Sequence, residues 1–192
     1  SSLDVCFSPE FLTEANSFED FKNQTRIIIG GPRPATGIIK QMFRKAFPSI
    51  PIIKTGTKTV EMVKYFTNCF LASKVTFANQ MYDVCNRLDI DYDKVTEYAL
   101  LDKRIGGSHL AVPGPDGDRG YGGHCFPKDL SALIHLALNL DTETNVLTAA
   151  EEIELAHHVQ NMKKLLETPE IERSRRNRHL IKIGKRARDR MM

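Results

Sequence analysis

TVEMVKYFTNCFLASKVTFANQMYDVCNRL, residues 59–88, decides the fold. Val60, Val63, Phe66, Thr67, Phe70, Leu71, Lys74, Val75, Ala78, Met81, Cys85 and Leu88 recur at steps of three and four. That period places side chains on one stripe of an α-helix. Thr57 or Thr59 stands where an N-cap is wanted. At about 30 residues the helix exceeds the usual globular length, so it is expected to span between domains or subunits.

Upstream, Arg26-Ile27-Ile28-Ile29-Gly30-Gly31 is a β-branched run ending in glycines, the pattern of a buried parallel strand. Residues 38–47 have helical spacing and 51–54 read as a second strand, so strand, helix and strand suggest part of an open α/β sheet. Leu3 to Phe7 is expected as a further strand, closed by Ser8-Pro9, and residues 10–21 as a loop with short helical turns. Downstream, helices are expected over 93–101, 127–140 and 148–166, with a Pro/Gly/Asp loop at 111–119. After Pro169 the apolar stripe dissolves into a basic tail.

The 192 residues, 41% hydrophobic and 27% charged, suit one sizeable core or two small ones. No apolar run approaches the roughly 20 residues that span a bilayer. The start, Ser1-Ser2-Leu3-Asp4, has no basic n-region, so no signal peptide is expected and the chain reads as the middle of a longer one. Cys6, Cys69, Cys85 and Cys125 show no paired spacing, which fits reduced thiols and a cytoplasmic location. The net charge of +3 is concentrated in the tail; without it the remainder is acidic.

Chemistry gathers in three places. Gly120-Tyr121-Gly122-Gly123-His124-Cys125-Phe126-Pro127-Lys128-Asp129 runs a glycine-rich loop into a thiol. Pro127 suits a first helical turn, so Cys125 falls at or just before a helix start, where free N–H groups and the helix dipole favour the thiolate. Lys64 and Asn68, at i and i+4 of the long helix, interrupt its apolar stripe and together could hold an oxyanion. Ser8-Pro9-Glu10-Phe11-Leu12-Thr13-Glu14 offers two carboxylates after a strand, where α/β sheets place ligands. A zinc site from His109, His124, Cys125 or the pair His157-His158 matches no usual ligand spacing, and no metal is expected.

Taken in order, Pro9-Glu10-Phe11-Leu12-Thr13-Glu14, Arg26 to Gly30, Lys64 with Asn68, Asp102-Lys103-Arg104-Ile105-Gly106, and Gly120 to Asp129 resemble the UDP-glucose 6-dehydrogenase family over residues 3 to about 140, and more loosely to 166. The Phe-Pro-Lys-Asp ending is nearer the UDP-glucose branch than the branch acting on N-acetylated sugars. The resemblance implies a mixed α/β, mainly α fold. Residues 1–56 would be the C-terminal part of a Rossmann-like NAD-binding domain. Residues 57–168 would be a central helical dimerisation domain with the cysteine, and 169–192 a basic tail.

The activity it implies is NAD-dependent, four-electron oxidation of a UDP-sugar through a thiohemiacetal and a thioester. Cys125 would be the nucleophile, Lys64 and Asn68 the oxyanion partners, Asp129 the group acting on water, and Glu10 an aid to proton transfer. Phe11, Leu12, Thr13, Arg104, Tyr121 and Gly122 would hold substrate, Arg104 across a homodimer or higher oligomer built on the long helix. Glu14 and Lys128 would lie near the nicotinamide. No membrane partner is expected. Two departures stand out: Ala15-Asn16 replaces a usual glycine, and no Gly-x-Gly-x-x-Gly occurs, so the pyrophosphate-cradling unit and the UDP-closing domain lie outside this sequence. The competing reading is a non-catalytic dimerisation fragment whose Arg/Lys-rich tail binds nucleic acid; the tail's lack of aromatic residues for stacking counts against it.

Overall fold

A computed structural model describes residues 4–13, 16–121, 123–167 and 175–191, the side chains of 167 and 175–179 excepted. Two compact units follow one another, dividing between Thr67 and Asn68.

In the first unit, the short helix α1 (Ser17–Lys22) precedes strand β1 (Ile27–Gly30), helix α2 (Ala35–Ala46) and strand β2 (Ile52–Thr55). The strands pair in parallel, Ile27 opposite Ile52 and Gly30 opposite Thr55. A parallel pair needs a long crossover, and α2 supplies it. All four residues of β1 are buried, as its unbroken β-branched run requires. Ile27, Ile29 and Ile52 form the core with Ile39, Phe43, Phe47 and Ile50 packed around them.

Of the strand expected at Leu3–Phe7, Leu3 lies outside the described residues and the rest makes one antiparallel bridge, between Phe7 and Gly30. Val5 is exposed, so the run lacks the burial a strand of this composition needs. Gly30 serves a close approach: a Cβ there would lie 2.9 Å from Thr57 Cα and 3.0 Å from Val60. Only glycine lets the end of β1 meet the first turns of the next helix.

That helix is α3 (Thr57–Arg87), whose residues up to Thr67 belong to the first unit and the rest to the second. Its 31 residues span about 46 Å. Met62, Phe66, Phe70, Phe77 and Val84 along it, and Leu88 just past its end, are all exposed. At 100° per residue they fall within an arc of about 80°.

In the second unit, α4 (Tyr92–Ala99) is capped by Asp91, whose carboxylate accepts from the Asp93 and Lys94 N–H groups. A loop leads to α5 (Cys125–Leu138), followed by α6 (Asn145–Glu167) and α7 (Arg175–Met191). Cys69, Ala72, Tyr121, Leu130, Ile134 and Ala150 form a core joining α3, α5, α6 and the loop. A smaller cluster of Ala78, Cys85, Tyr92 and Val112 seats α4.

The basic tail differs from its reading as a segment without a helical stripe, because 175–191 form α7 and pack along α6. Its buried face is Ile181, Gly184 and Ala187, a narrow line hidden between arginines and lysines. A Cβ on Gly184 would collide with Met162 and the His158 carbonyl, so the helices approach backbone to backbone there. Arg190 completes the docking by donating to Ser131 Oγ at 2.9 Å and pairing with Glu151. Among the described residues no helix is long and apolar enough to cross a membrane.

Candidate functional site

In the first unit the segment from Phe7 to Thr13 is strapped to the sheet. Phe7 exchanges both backbone bonds with Gly30 at 2.8 Å, and Ser8 Oγ donates to the Ile28 carbonyl at 3.1 Å. Lys64 Nζ donates to Glu10 twice, to its carbonyl at 2.5 Å and to Oε1 at 2.9 Å. The other carboxylate oxygen accepts the Leu12 N–H at 2.9 Å. Phe11 lies under two cations, the Arg26 guanidinium 4.4 Å and the Lys64 ammonium 5.5 Å from its ring centre. Thr13 donates both its N–H and its hydroxyl to Asp20, which holds the Asp20 carboxyl below the usual aspartate range. Pro9, Glu10, Phe11, Arg26 and Phe43 help line a cleft of about 390 Å³.

Asn68 stands one turn beyond Lys64 on α3. In the second unit its Nδ2 donates to Asp129 Oδ2 at 2.5 Å, both residues being buried, at 5% and 3% exposure. Lys128 pairs with the second Asp129 oxygen. Cys125 is the first residue of α5, with Asp129 one turn further on. The four thiols are not equivalent. Burial, and then the Asp129 charge, push Cys69 up to about 11, so near neutral pH it is a protonated core group. Cys85 is buried as well, whereas Cys6 and Cys125 are half-buried. Of these two, Cys125 has the helix-start position.

Three residues that sequence reasoning missed hold the loop before Cys125. Glu154, buried on α6, accepts the Tyr121 N–H at 3.0 Å, and its other oxygen lies 3.0 Å from His158 Nε2. Arg119 donates to the side chain and carbonyl of Asn79, both at 3.1 Å, and pairs with Asp83 at 2.8 Å. The signal for Glu154 is a carboxylate one turn beyond Ala150 on the apolar side of α6; for Asn79 it is an amide beside Ala78 in the long apolar stripe.

Other expected site residues are placed as follows. The Tyr121 ring is in the core and its hydroxyl donates to the Ala150 carbonyl at 2.9 Å; burial, with Glu154 nearby, raises its pKa. Arg104 is exposed and folded onto Asp102, whose carboxyl it holds low. Leu12 is half-buried beside Glu10. Glu14 and Gly122 lie outside the described residues. The described residues hold no group of three His, Cys, Asp or Glu fit to hold a metal ion.

The model of the UDP-glucose/GDP-mannose dehydrogenase family, central domain, matches residues 58–155. UDP-glucose 6-dehydrogenase TuaD of Bacillus subtilis is 35% identical over 165 residues, which cover 86% of this chain and 34% of that protein. UDP-glucose 6-dehydrogenase AglM of Haloferax volcanii is 36% identical over 157 residues, 79% of this chain and 35% of that one. In three dimensions the chain is similar to a UDP-glucose dehydrogenase from Pyrobaculum islandicum, with a TM-score of 0.70 and 32% identity over 85% of this chain and 36% of the other. The chain spans about a third of the length of these relatives.

Proposed function

Because the chain belongs to the UDP-glucose/GDP-mannose dehydrogenase family, we propose that it is the thiol-bearing part of a UDP-glucose 6-dehydrogenase, which oxidises the sugar C6 alcohol to a carboxylate. The observation that carries this reading is the buried bond between Asn68 of α3 and Asp129 in the first turn of α5, the helix that Cys125 opens. In this reading residues 1–56 end the NAD-binding domain, 57–168 are the central domain and 169–192 the tail.

Hydride acceptance, once in each oxidation, is the chemistry that NAD supplies when bound. The single β1–α2–β2 crossover has no Gly-x-Gly-x-x-Gly, so the described residues do not make a cradle for the pyrophosphate, and no step here is derived through the cofactor. Glu14 and Lys128 are assigned to its nicotinamide end by the family resemblance alone. The steps that belong to this chain begin once C6 is an aldehyde. The Cys125 thiolate adds to the carbonyl carbon, forming a C–S bond and an alkoxide. Lys64 and Asn68, one turn apart, stabilise that alkoxide, and Glu10, bonded to Lys64, assists the transfer of a proton from the Lys64 ammonium to it, which gives the thiohemiacetal hydroxyl. After the second oxidation leaves a thioester, Asp129 deprotonates or orients a water. Water attacks the carbonyl carbon, the C–S bond breaks, and the carboxylate product leaves Cys125 as thiolate. Phe11, Leu12, Thr13, Arg104, Tyr121 and Gly122 hold the UDP-sugar, Tyr121 through its backbone because its ring is in the core.

The exposed stripe of α3 supports assembly of two or more copies through that helix, with Arg104 reaching a neighbour's substrate. A cytoplasmic location accords with this substrate class. The test is a longer form of the protein that includes the preceding dinucleotide-binding segment. With UDP-glucose and NAD it should form two NADH per UDP-glucuronate, while the 192-residue chain alone forms little. Its Cys125→Ser variant should yield no uronate; completion of both oxidations by that variant would overturn the assignment of the nucleophile.

A further inference from the structure

We infer that Glu154 is a positioning residue for Cys125, acting through the glycine loop that precedes α5. The carboxylate is buried, at 4% exposure, on a helix that otherwise presents Ala150 and Met162 to the interior. A buried carboxylate is costly unless its lone pairs are used. Glu154 spends one oxygen on the backbone N–H of Tyr121, four residues before Cys125, at 3.0 Å. The other lies 3.0 Å from His158 Nε2 but accepts no hydrogen bond among the described residues, so the Tyr121 N–H is the donor that this carboxylate has. Gly120 accommodates the contact: its φ is +89°, and a Cβ there would collide with the Glu154 carboxylate. The backbone therefore crosses directly over a buried anion, an approach open only to glycine.

Neighbouring bonds make this the central pin of the loop. Arg119, on one side, is held by Asn79 and Asp83. Tyr121, on the other, is anchored through its hydroxyl to the Ala150 carbonyl, about one helical turn before Glu154. Tyr121 also packs against Phe126, the residue after Cys125, with ring centres 6.1 Å apart. A chain of contacts thus runs from Glu154 to the Tyr121 amide, across its ring to Phe126, and to the start of α5. Losing the carboxylate would free the Tyr121 N–H and loosen the approach to Cys125 while leaving both oxyanion partners untouched. The inference deepens the proposed catalytic reading, but its test does not need dehydrogenase activity.

Three variants of the full chain decide it. Glu154→Ala removes the acceptor, Glu154→Asp keeps the charge but withdraws it by about one methylene, some 1.5 Å, and Glu154→Gln keeps an acceptor at full reach. Amide exchange at Tyr121 and iodoacetamide alkylation of Cys125, followed by peptide mass spectrometry, report the two ends of the chain of contacts. In the Ala and Asp variants both should accelerate about tenfold, because one charge-assisted hydrogen bond governs a common opening. In the Gln variant both should stay within about threefold of the parent. The buried thiols Cys69 and Cys85 are internal controls and should remain unlabelled. The inference is overturned if Cys125 labelling is unchanged when the Tyr121 amide is freed. It is equally overturned if Cys125 labels only in step with Cys69 and Cys85, for Glu154 is then a residue of the core and not of the loop. Failure of the dehydrogenase assay on the longer protein, with these labelling results intact, would count against the proposed activity and leave the positioning role standing.

Discussion

Replacing Asn68 by alanine should cost the second unit a definable amount of stability, and a double-mutant cycle with Asp129 isolates it. The bond from Asn68 Nδ2 to Asp129 Oδ2 is 2.5 Å long and both residues are buried. A hydrogen bond to a charged group contributes about 1.5–3 kcal/mol, and a buried carboxylate oxygen left without its donor keeps the full desolvation penalty. Asn68→Ala should therefore lose about 1.5–3 kcal/mol, or about 3–12 °C in Tm for a chain of this length. Asp129→Ala also loses its partner Lys128, whose side chain is 68% exposed, so that contact adds at most about 1 kcal/mol. The Lys128 contribution cancels in the cycle, which should return a coupling of about 1.5–3 kcal/mol between Asn68 and Asp129. Urea denaturation followed by far-UV circular dichroism measures all four corners. A coupling below about 0.5 kcal/mol would refute the premise that these side chains act as one unit, and with it the assignment of paired roles at the start of α5.

Three further perturbations reach other parts of the molecule. Thr13→Val removes the hydroxyl that most lowers the Asp20 pKa, so that pKa should rise towards its ordinary 3.8. Because the folded value is depressed, the stability difference from the parent is present above pH 3.8 and fades as pH falls through the folded pKa; an unmoved Asp20 carboxyl signal in a carbon-13 titration sinks the argument. Gly184→Leu should force α7 away from Met162 and the His158 carbonyl, with an overpacking cost of about 1–3 kcal/mol, and faster tryptic cleavage in 180–191 is the readout; an unchanged digestion rate contradicts the close packing of the two helices. Phe77→Glu places a charge in the exposed stripe of α3 and should shift light-scattering mass towards the monomer without loss of helix signal. If the parent is monomeric at micromolar concentration, assembly through this stripe is ruled out.

Elements with a strong period were legible in the sequence. The isoleucine run of β1 encodes burial directly, and the three-and-four spacing of α3 encodes a helix, which starts at Thr57; it does not encode burial alone, because Phe66 and Phe70 of that stripe are exposed. The helix start at Cys125 followed from the glycines and Pro127, whereas the bond from the Asn68 amide to Asp129, one turn further along that helix, was not foreseen. Other features were illegible for a common reason: they depend on contacts between distant segments. Glu154 reads as one more charge in Glu151-Glu152-Ile153-Glu154 until the Tyr121 amide is placed above it. Helix α7 has too few apolar residues for a stripe, and its buried glycine becomes meaningful only against Met162. In the other direction, the apolar run before Ser8 suggested a strand, because nothing local says that Val5 stays exposed.

The boundary between the two compact units falls between Thr67 and Asn68, in mid-helix. Most multi-unit chains join their parts by an exposed tether, where proteases nick and genetic insertions are tolerated. Thr67 and Asn68 lie inside the 31 residues of α3, where each backbone N–H bonds to the carbonyl four residues before it. Limited digestion should therefore fail to release either unit intact at this point, and a truncation designed at the boundary would strand four carbonyls on one half and four N–H groups on the other. A one-residue insertion between Lys64 and Asn68 would widen the angle between them from about 40° to about 140° without removing either side chain. If the two act together as proposed, the sequence between them, Tyr65-Phe66-Thr67, is constrained in its length more tightly than in its chemistry.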